Sequence, residues 1–217
     1  GDETGDTFLA SHDQHKAIEK YVKILQKHPN NAHASFSLGF LLHQVNKNEQ
    51  AEHLVSQAIT LGLENHDVYR TLGAIYKSLK VLDKSIFCER KAISSNPEYI
   101  DGHYNIGCNY LELGNSVKAI ESFHKVISEK PDHYAAHNNL GIAYYNERMF
   151  EDSIESFDNA LNIKPDFPLS YFGKGNTLRE IGQTEDAVTN IQKAIELKPG
   201  FLEAYNNLGN AQKDLGH

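Results

Sequence analysis

The chain contains almost no sulfur and no tryptophan. Its 217 residues include two cysteines, one methionine and no Trp. The cysteines are Cys88 and Cys108, and they form no CxxC or other paired spacing, which argues against both a disulfide scaffold and a zinc site. Two free thiols suit a reducing compartment, so we expect a cytoplasmic protein.

Long apolar runs and an excess of basic residues are also absent. No stretch approaches the roughly 20 apolar residues that a membrane span needs. Lys and Arg number 21 against 29 Asp and Glu, for a net charge of −8. A track for nucleic-acid phosphates needs a dense basic face. We therefore expect no membrane partner and no nucleic-acid partner.

What the chain does have is a period of 34 residues. Six glycines keep this spacing: Gly39, Gly73, Gly107, Gly141, Gly175 and Gly209. A proline lies ten residues before five of these six glycines, at Pro29, Pro97, Pro131, Pro165 and Pro199. Proline cannot continue a helix, so these residues mark the ends of helical units. The chain is predicted to be an array of similar small units.

Small side chains share this phase. Twelve residues after the glycines stand Ala51, Ser85, Ala119, Ser153 and Ala187, and nineteen residues after stand Ala58, Ala92, Val126, Ala160 and Ala194. Positions seven apart lie on one face of a helix. These residues predict two helices per unit that approach each other closely.

The combined pattern resembles the tetratricopeptide repeat, and the tract AYNNLGNAQKDLG at 204–216 is close to the family consensus. The resemblance implies an all-α fold, a right-handed α-solenoid or superhelix of helix-turn-helix repeats. It also implies that the first helix of each repeat lines a concave groove. The array is predicted to be a single domain over 1–217, with complete repeats at 32–65, 66–99, 100–133, 134–167 and 168–201.

The two ends of the array should be partial repeats. Residues 14–28 are predicted to form a second helix, because Ala17, Tyr21 and Pro29 fall in phase. Residues 202–217 are predicted to form a first helix without its partner. That helix carries Leu208 and Leu215 and should expose apolar area, which predicts either a longer parent protein or self-association through 202–217.

A few residues depart from the repeat pattern. Seven residues after the glycine, where a left-handed residue should end the first helix, stand Lys80 and Arg148 instead of glycine. Leu63 replaces the phased proline, and Glu89 occupies a position that normally packs an apolar side chain. Repeats 32–65 and 66–99 are therefore expected to be the most irregular.

The resemblance places rings, aliphatic groups, amides and a few charges in the groove. The candidate groove residues are Phe36, Phe40, Arg70, Lys77, Tyr104, Asn138, Tyr145, Phe172, Asn176 and Arg179. Rings supply contact area and amides bond to main chain, so this lining suits a protein or peptide ligand. In the alternative interpretation, Phe36, Tyr104 and Phe172 only pack between the helices of a pair.

Asparagines recur two residues before the glycine, at Asn105, Asn139 and Asn207. This is similar to the asparagine ladder of the O-linked N-acetylglucosamine transferase superhelix, whose amides hold the backbone of a bound substrate. The alternative is that these amides bond to the adjacent helix. Asn176 and Asn207 also match a clamp for chaperone tails, but that clamp requires lysine where this chain has Phe172, so the clamp is rejected.

The sequence predicts no catalytic, metal or cofactor site. The pairs His12 with His15 and His133 with His137 lack the third and fourth ligands that a structural metal site needs. Residues 173–177 lack the spacing and preceding strand of a phosphate loop. The predicted function is a noncatalytic protein–protein interaction scaffold. The alternative is that the array selects substrates for a larger transferase, a glycosyltransferase or sulfotransferase, whose catalytic domain lies outside this chain.

Overall fold

The computed structural model describes the backbone of residues 3–216 and the side chains of residues 13–216. The described residues do not include Gly1, Asp2 and His217. His217 is the last residue of the terminal segment 202–217 in which a helix was predicted. The described chain is all-α, as predicted, and consists of twelve helices. They are α1 Glu3–Lys27, α2 Ala32–Gln44, α3 Asn48–Thr60, α4 His66–Ser78, α5 Leu82–Ser95, α6 Ile100–Glu112, α7 Ser116–Glu129, α8 Tyr134–Asn146, α9 Phe150–Ile163, α10 Pro168–Glu180, α11 Thr184–Leu197 and α12 Leu202–Asp214.

The helices belong to two compact units, one that ends at Gly102 and one that begins at His103. The first unit contains α1 to α5, whose core includes Leu38, Val55, Leu72 and Ile75. The second unit contains most of α6 and all of α7 to α12. Its most buried large side chains include Phe123, Phe157 and Ile191.

Helix α1 is longer than the segment 14–28 in which a helix was predicted. It runs without a break from Glu3 to Lys27. The repeat pattern would place a turn near His12, but the chain has no glycine or proline between Gly5 and Pro29. Without a residue that favours a left-handed or broken backbone there, the helix continues.

The first helix of each pair ends in a turn with one left-handed residue. Gly114, Gly182 and Gly216 have positive φ at this position, as do Asn46, Lys80 and Arg148, each at 60°. The pattern of hydrogen bonds is that of a Schellman motif. At Lys80, for example, the Val81 amide donates to the Tyr76 carbonyl at 2.9 Å. The position in the repeat therefore correctly predicted a left-handed residue even where that residue is not glycine.

The phased glycines make room for a side chain from the second helix. A Cβ atom added at Gly141 would lie 2.9 Å from the Phe157 ring, and one at Gly107 would lie 2.6 Å from the Phe123 ring. Gly175 and Ile191 are related in the same way, at 2.7 Å. The side chain in contact always lies sixteen residues after the glycine. This contact between a glycine and a side chain joins the two helices of each repeat.

In the first unit the corresponding side chain opposite Gly73 is Glu89. It is 2% exposed, and its Oε1 lies 3.3 Å from the position of a Cβ at Gly73. Neighbouring Cys88 is also buried, and burial followed by the Glu89 charge raises the pKa of its thiol to about 12. The turn at Leu63 differs as well, because Gly62, at φ 91°, ends α3 in a further Schellman motif.

We predict opposite effects of alanine at two phased glycines. Gly141→Ala pushes a methyl group into the Phe157 ring and should lower the free energy of unfolding by about 1–3 kcal/mol. Gly209→Ala meets no atom within 4 Å and should raise it by up to about 1 kcal/mol through helix propensity. Urea denaturation of both variants at low protein concentration measures the difference, and equal effects would contradict the packing role of Gly141.

We also predict that Lys80→Gly stabilises the protein by about 1 kcal/mol, because glycine adopts the left-handed backbone without a clash at Cβ. Lys80→Ala is the control: it removes the same side chain but keeps the strained Cβ, and should give no gain. Thermal unfolding of the two variants separates backbone relief from loss of the lysine. A stabilising alanine would show that the lysine side chain, and not its backbone, is unfavourable.

Candidate functional site

The second unit contains a concave pocket of about 490 Å³. Its walls come from α8, α9, α10 and the beginning of α12. The lining residues are Asn138, Asn139, Ile142, Tyr145, Asn146, Phe157, Leu169, Phe172, Gly173, Asn176, Phe201 and Glu203. Five of these were candidate groove residues: Asn138, Asn139, Tyr145, Phe172 and Asn176. The structure thus brings those five together around one cavity.

Three phenylalanine rings, those of Phe157, Phe172 and Phe201, are among the lining residues of this pocket. The centroids of Phe172 and Phe201 are 4.7 Å apart, with the rings tilted at 52°. Phe201 is 4% exposed and Phe157 is 1% exposed, so both are fixed by the core. Leu169 and Ile142 are 43% and 38% exposed and present aliphatic groups to the opening. A rigid apolar surface of this kind can take up an apolar side chain of a ligand.

A chain of amide hydrogen bonds borders the pocket on α8. Asn138 Nδ2 donates to Asn139 Oδ1 at 3.0 Å, and Ser170 Oγ donates to Asn138 Oδ1 at 2.9 Å. Asn139 Nδ2 in turn donates to the Tyr104 hydroxyl at 3.2 Å and contacts Cys108 Sγ at 3.4 Å. In this structure the Asn139 amide bonds to the neighbouring first helix.

Asn207 makes the same type of contact between first helices. Its Nδ2 donates to Asn176 Oδ1 at 2.8 Å, so two of the candidate asparagines bond to each other. Asn105 is half-buried on α6 and does not line the pocket. The amides of the predicted ladder therefore connect consecutive first helices at Asn139 and Asn207.

The charge around the pocket is acidic. Glu203 is the one charged residue in the lining. Burial, followed by the charge of Glu180, raises the pKa of Tyr145. Arg179, a predicted groove residue, forms an ion pair with Asp214, with Nε 3.1 Å from Oδ2. The pocket thus offers no uncompensated positive charge from Arg179 to a ligand.

Tyr104 lies between helices of the second unit instead of lining the pocket. Its ring centroid is 4.9 Å from that of His133 and 5.9 Å from that of Phe123. Burial, then the neighbouring Cys108, raises the pKa of Tyr104 well above its usual value. This geometry is that of the alternative interpretation, in which the ring packs between helices.

The first unit holds four of the candidate groove residues. Phe36 and Phe40 have ring centroids 6.4 Å apart, and Phe40 is 37% exposed while Phe36 packs partly against the core. Arg70 is exposed, with Nη2 3.5 Å from Asp67 Oδ1. Lys77 is half-buried on α4.

Sequence reasoning missed Leu169, Phe201 and Glu203. A signal for Phe201 was available, since rings also recur eight residues before the glycines at Tyr99, His133, Phe167 and Phe201. Each of these rings lies within 5.1 Å of another ring, measured between centroids. No comparable period marks Leu169 or Glu203.

The histidines His133 and His137, which were considered as possible metal ligands, have structural roles. His133 Nδ1 accepts from the Ala136 amide at the start of α8, and His137 Nε2 donates to the Pro131 carbonyl at 2.9 Å. The side chain of His12 lies outside the described residues. Among the side chains that are described, no group of three or more His, Cys, Asp or Glu could hold a metal ion. No helix within residues 3–216 has the length and apolar character needed to cross a membrane.

We predict an energetic coupling between Asn139 and Tyr104. A double-mutant cycle with Asn139→Ala and Tyr104→Phe should give a coupling free energy of about 0.5–1.5 kcal/mol in the unliganded protein, because each change removes one partner of the same hydrogen bond. Tyr144→Phe is the matched control, since its hydroxyl bonds to His124. Additive effects for both pairs in urea denaturation would refute the coupling.

Comparisons with known proteins agree with this fold. Family models described as TPR repeat and tetratricopeptide repeat match residues 175–216, 134–167 and 100–133. The crystal structure of YrrB, a TPR protein with an unusual peptide-binding site, superposes with a TM-score of 0.72 at 20% identity, over 88% of this chain and 98% of its own. No curated protein matches the chain.

Two further solved structures share the fold. A crystal structure of MamA gives a TM-score of 0.67 at 27% identity, over 75% of this chain and 88% of its own. The C-terminal part of a TPR repeat-containing protein from Cytophaga hutchinsonii gives 0.77 at 20% identity, over 95% and 83%. The three family matches together cover more than half of the residues. The chain belongs to the tetratricopeptide repeat family.

Proposed function

We propose that this protein is a noncatalytic interaction scaffold whose second unit binds a peptide segment of a partner protein in the pocket between α8, α10 and α12. The observation that carries the proposal is the pocket itself, about 490 Å³ in volume, with rigid rings inside and amides at its border. Ligand sites combine a mostly apolar lining with a few placed polar groups in this way. The likeness to YrrB, which is described as having a peptide-binding site, supports the same class of function.

The lining indicates what kind of segment binds. Phe172, Leu169 and Ile142 provide a surface for one aliphatic or aromatic side chain of the peptide, and the buried Phe201 ring packs against Phe172. Rings give large contact area with little loss of side-chain freedom, so a single anchor contributes much of the affinity. The peptide side chain that enters should therefore be Leu-like or Phe-like in size.

The polar border favours a neutral or basic flank on that segment. Glu203 lines the opening, and Glu180 lies next to Tyr145. Arg179 is held by Asp214 and adds no attraction for acids. Because like charges close together are unfavourable, an acidic residue beside the anchor should weaken binding. Asn146, exposed at the end of α8, is placed to bond to peptide main chain.

Selection from a displayed library of random peptides of about twelve residues tests the proposal. We expect the enriched peptides to share an apolar anchor with few acidic neighbours. Leu169→Ala should weaken a selected peptide at least about fivefold, and Phe172→Ala at least about tenfold, by removing anchor contacts. Fluorescence anisotropy of the labelled peptide measures both constants.

A matched control is available in the same unit. Leu113 is 45% exposed, close to the 43% of Leu169, but does not line the pocket. Leu113→Ala should bind the selected peptides like the unchanged protein. Equal losses for Leu113→Ala and Leu169→Ala, or full binding by Phe172→Ala, would exclude the pocket as the binding site.

A further inference from the structure

The second helix α5 exposes an aromatic ring that the repeat does not require. Phe87 is 57% exposed, and among the described large apolar side chains only Leu202 is more exposed. Its position, fourteen residues after the phased glycine Gly73, is exposed in every complete repeat. The other complete repeats have polar side chains there, namely His53, Glu121, Glu155 and Thr189. Packing within the repeat therefore does not account for a ring at this position.

Basic side chains surround this ring. In an α-helix the surface neighbours of a residue are those three and four positions away. For Phe87 these neighbours are Asp83, Lys84, Arg90 and Lys91, all of which are exposed. Lys91 Nζ lies 5.7 Å from the centroid of the Phe87 ring, a distance at which a cation and a ring attract each other. Around its ring α5 thus presents three bases and one acid, in a chain whose net charge is −8.

Helix α7 shows which part of this face is particular to α5. At the positions of the two lysines that flank Phe87, α7 also has lysines, Lys118 and Lys125. Lys84 and Lys118 each lie over a tyrosine ring of the preceding first helix, with Nζ 5.0 Å and 5.4 Å from its centroid. At the position of the ring, however, α7 has Glu121. The combination of a ring with flanking lysines therefore distinguishes α5 from α7.

Lys84, Phe87, Arg90 and Lys91 form a strip that is one helix wide, the α5 strip. Lys84 and Lys91 are seven residues apart in the helix, which is a distance of about 10 Å. An extended peptide covers this distance in about three residues. A bilayer takes up a whole apolar helix face, whereas the strip has a single ring among charges. At the positions of the ring and the two lysines, the second helix of the previous repeat has Gln50, His53 and Gln57.

Two acids lie on the Lys84 side of the α5 strip. Asp83 is exposed and precedes Lys84 in the chain. Glu52 of α3 accepts a hydrogen bond from the Tyr76 hydroxyl at 2.8 Å, and Lys84 Nζ lies 5.0 Å from the centroid of the same tyrosine ring. Because these carboxylates offset part of the charge of Lys84, Lys91 should contribute more to the attraction of an anion.

We propose that the α5 strip binds an extended acidic segment of a partner protein. The segment has two carboxylates about three residues apart for the two lysines, and between them an aromatic or large aliphatic side chain for the Phe87 ring. Charge complementarity carries this choice of occupant, because the cations of α5 attract carboxylates and the ring adds apolar contact area. The α5 strip shares no residue with the pocket of the second unit, and the ligand chemistry of the two sites is opposite.

The probe that tests this proposal is a labelled peptide of about ten residues with one phenylalanine between two glutamates about three residues apart. Fluorescence anisotropy should show binding to the unchanged protein that weakens as salt is added, because the charges are exposed. Phe87→Glu gives α5 the residue that α7 has at this position, and should weaken binding at least about tenfold. Lys91→Glu should weaken binding at least about threefold, and Lys84→Glu should weaken it less.

Helix α7 supplies matched control variants. Lys125→Glu changes the net charge by the same amount as Lys91→Glu, at the equivalent exposed position. Val117→Ser removes an apolar side chain that is 55% exposed, close to the 57% of Phe87. Both controls should bind the probe like the unchanged protein. A second probe, in which glutamines replace the glutamates, should bind at least about tenfold more weakly.

Several results would overturn the proposal. These are no binding of the acidic probe at about 1 mM, equal affinity for the glutamine probe, full binding by Phe87→Glu, or equal losses for Lys91→Glu and Lys125→Glu. The protein could instead bind phosphatidylserine vesicles or oligothymidine in a Phe87-dependent manner while it ignores the acidic probe. That result would assign the α5 strip to a membrane or to a nucleic acid, and would overturn the proposal as well.

Discussion

The structure depends on one contact that recurs in each complete repeat of 34 residues: a side chain of the second helix lies against a glycine of the first helix. Phe157 shows it most fully, because its ring touches the first helix of its own repeat at Gly141 and that of the next repeat at Gly173. One side chain thereby holds three helices together. Any Cβ at these glycines would enter the space of the ring, so the close approach of the helices requires glycine.

The same contact explains which departures from the repeat the fold tolerates. The position sixteen residues after the glycine holds valine, glutamate, phenylalanine or isoleucine, so the fold requires a side chain that fills the space but does not fix its chemistry. Glu89 is buried there with its carboxyl group near Gly73, and Tyr99 hydrogen-bonds to it. At Gly209 on α12, by contrast, no atom of the described residues lies within 4 Å of a Cβ position.

The pocket of the second unit arises from the turns between repeats as much as from the first helices. Phe201 stands just before α12, and its ring packs on Phe172. The amides that border the pocket are partly used within the protein, since Asn139 bonds to Tyr104 and Asn207 to Asn176. Their roles thus include holding consecutive first helices in register, which sets the shape into which a ligand must fit.

Features set by residues close together in the chain could be predicted from the sequence more fully than contacts between residues far apart in it. The period of 34 residues predicted the helix pairs, and it placed left-handed residues at Lys80 and Arg148 although neither side chain favours that backbone. The periodic rings at Tyr99, His133, Phe167 and Phe201 also carried information that was not used. The full length of α1 was missed because a repeat register assumes a turn, while the residues near His12 contain nothing that breaks a helix.

By itself the sequence determined the all-α class, the register of the repeats and the positions where helices approach closely, because these follow from local backbone preferences and from side-chain volume at fixed spacing. Only the tertiary structure decided which amides bond to each other, that Arg179 is paired with Asp214, and which rings enclose the pocket. Those outcomes depend on directions and distances between side chains some 30 residues apart, which no pattern within one helix specifies.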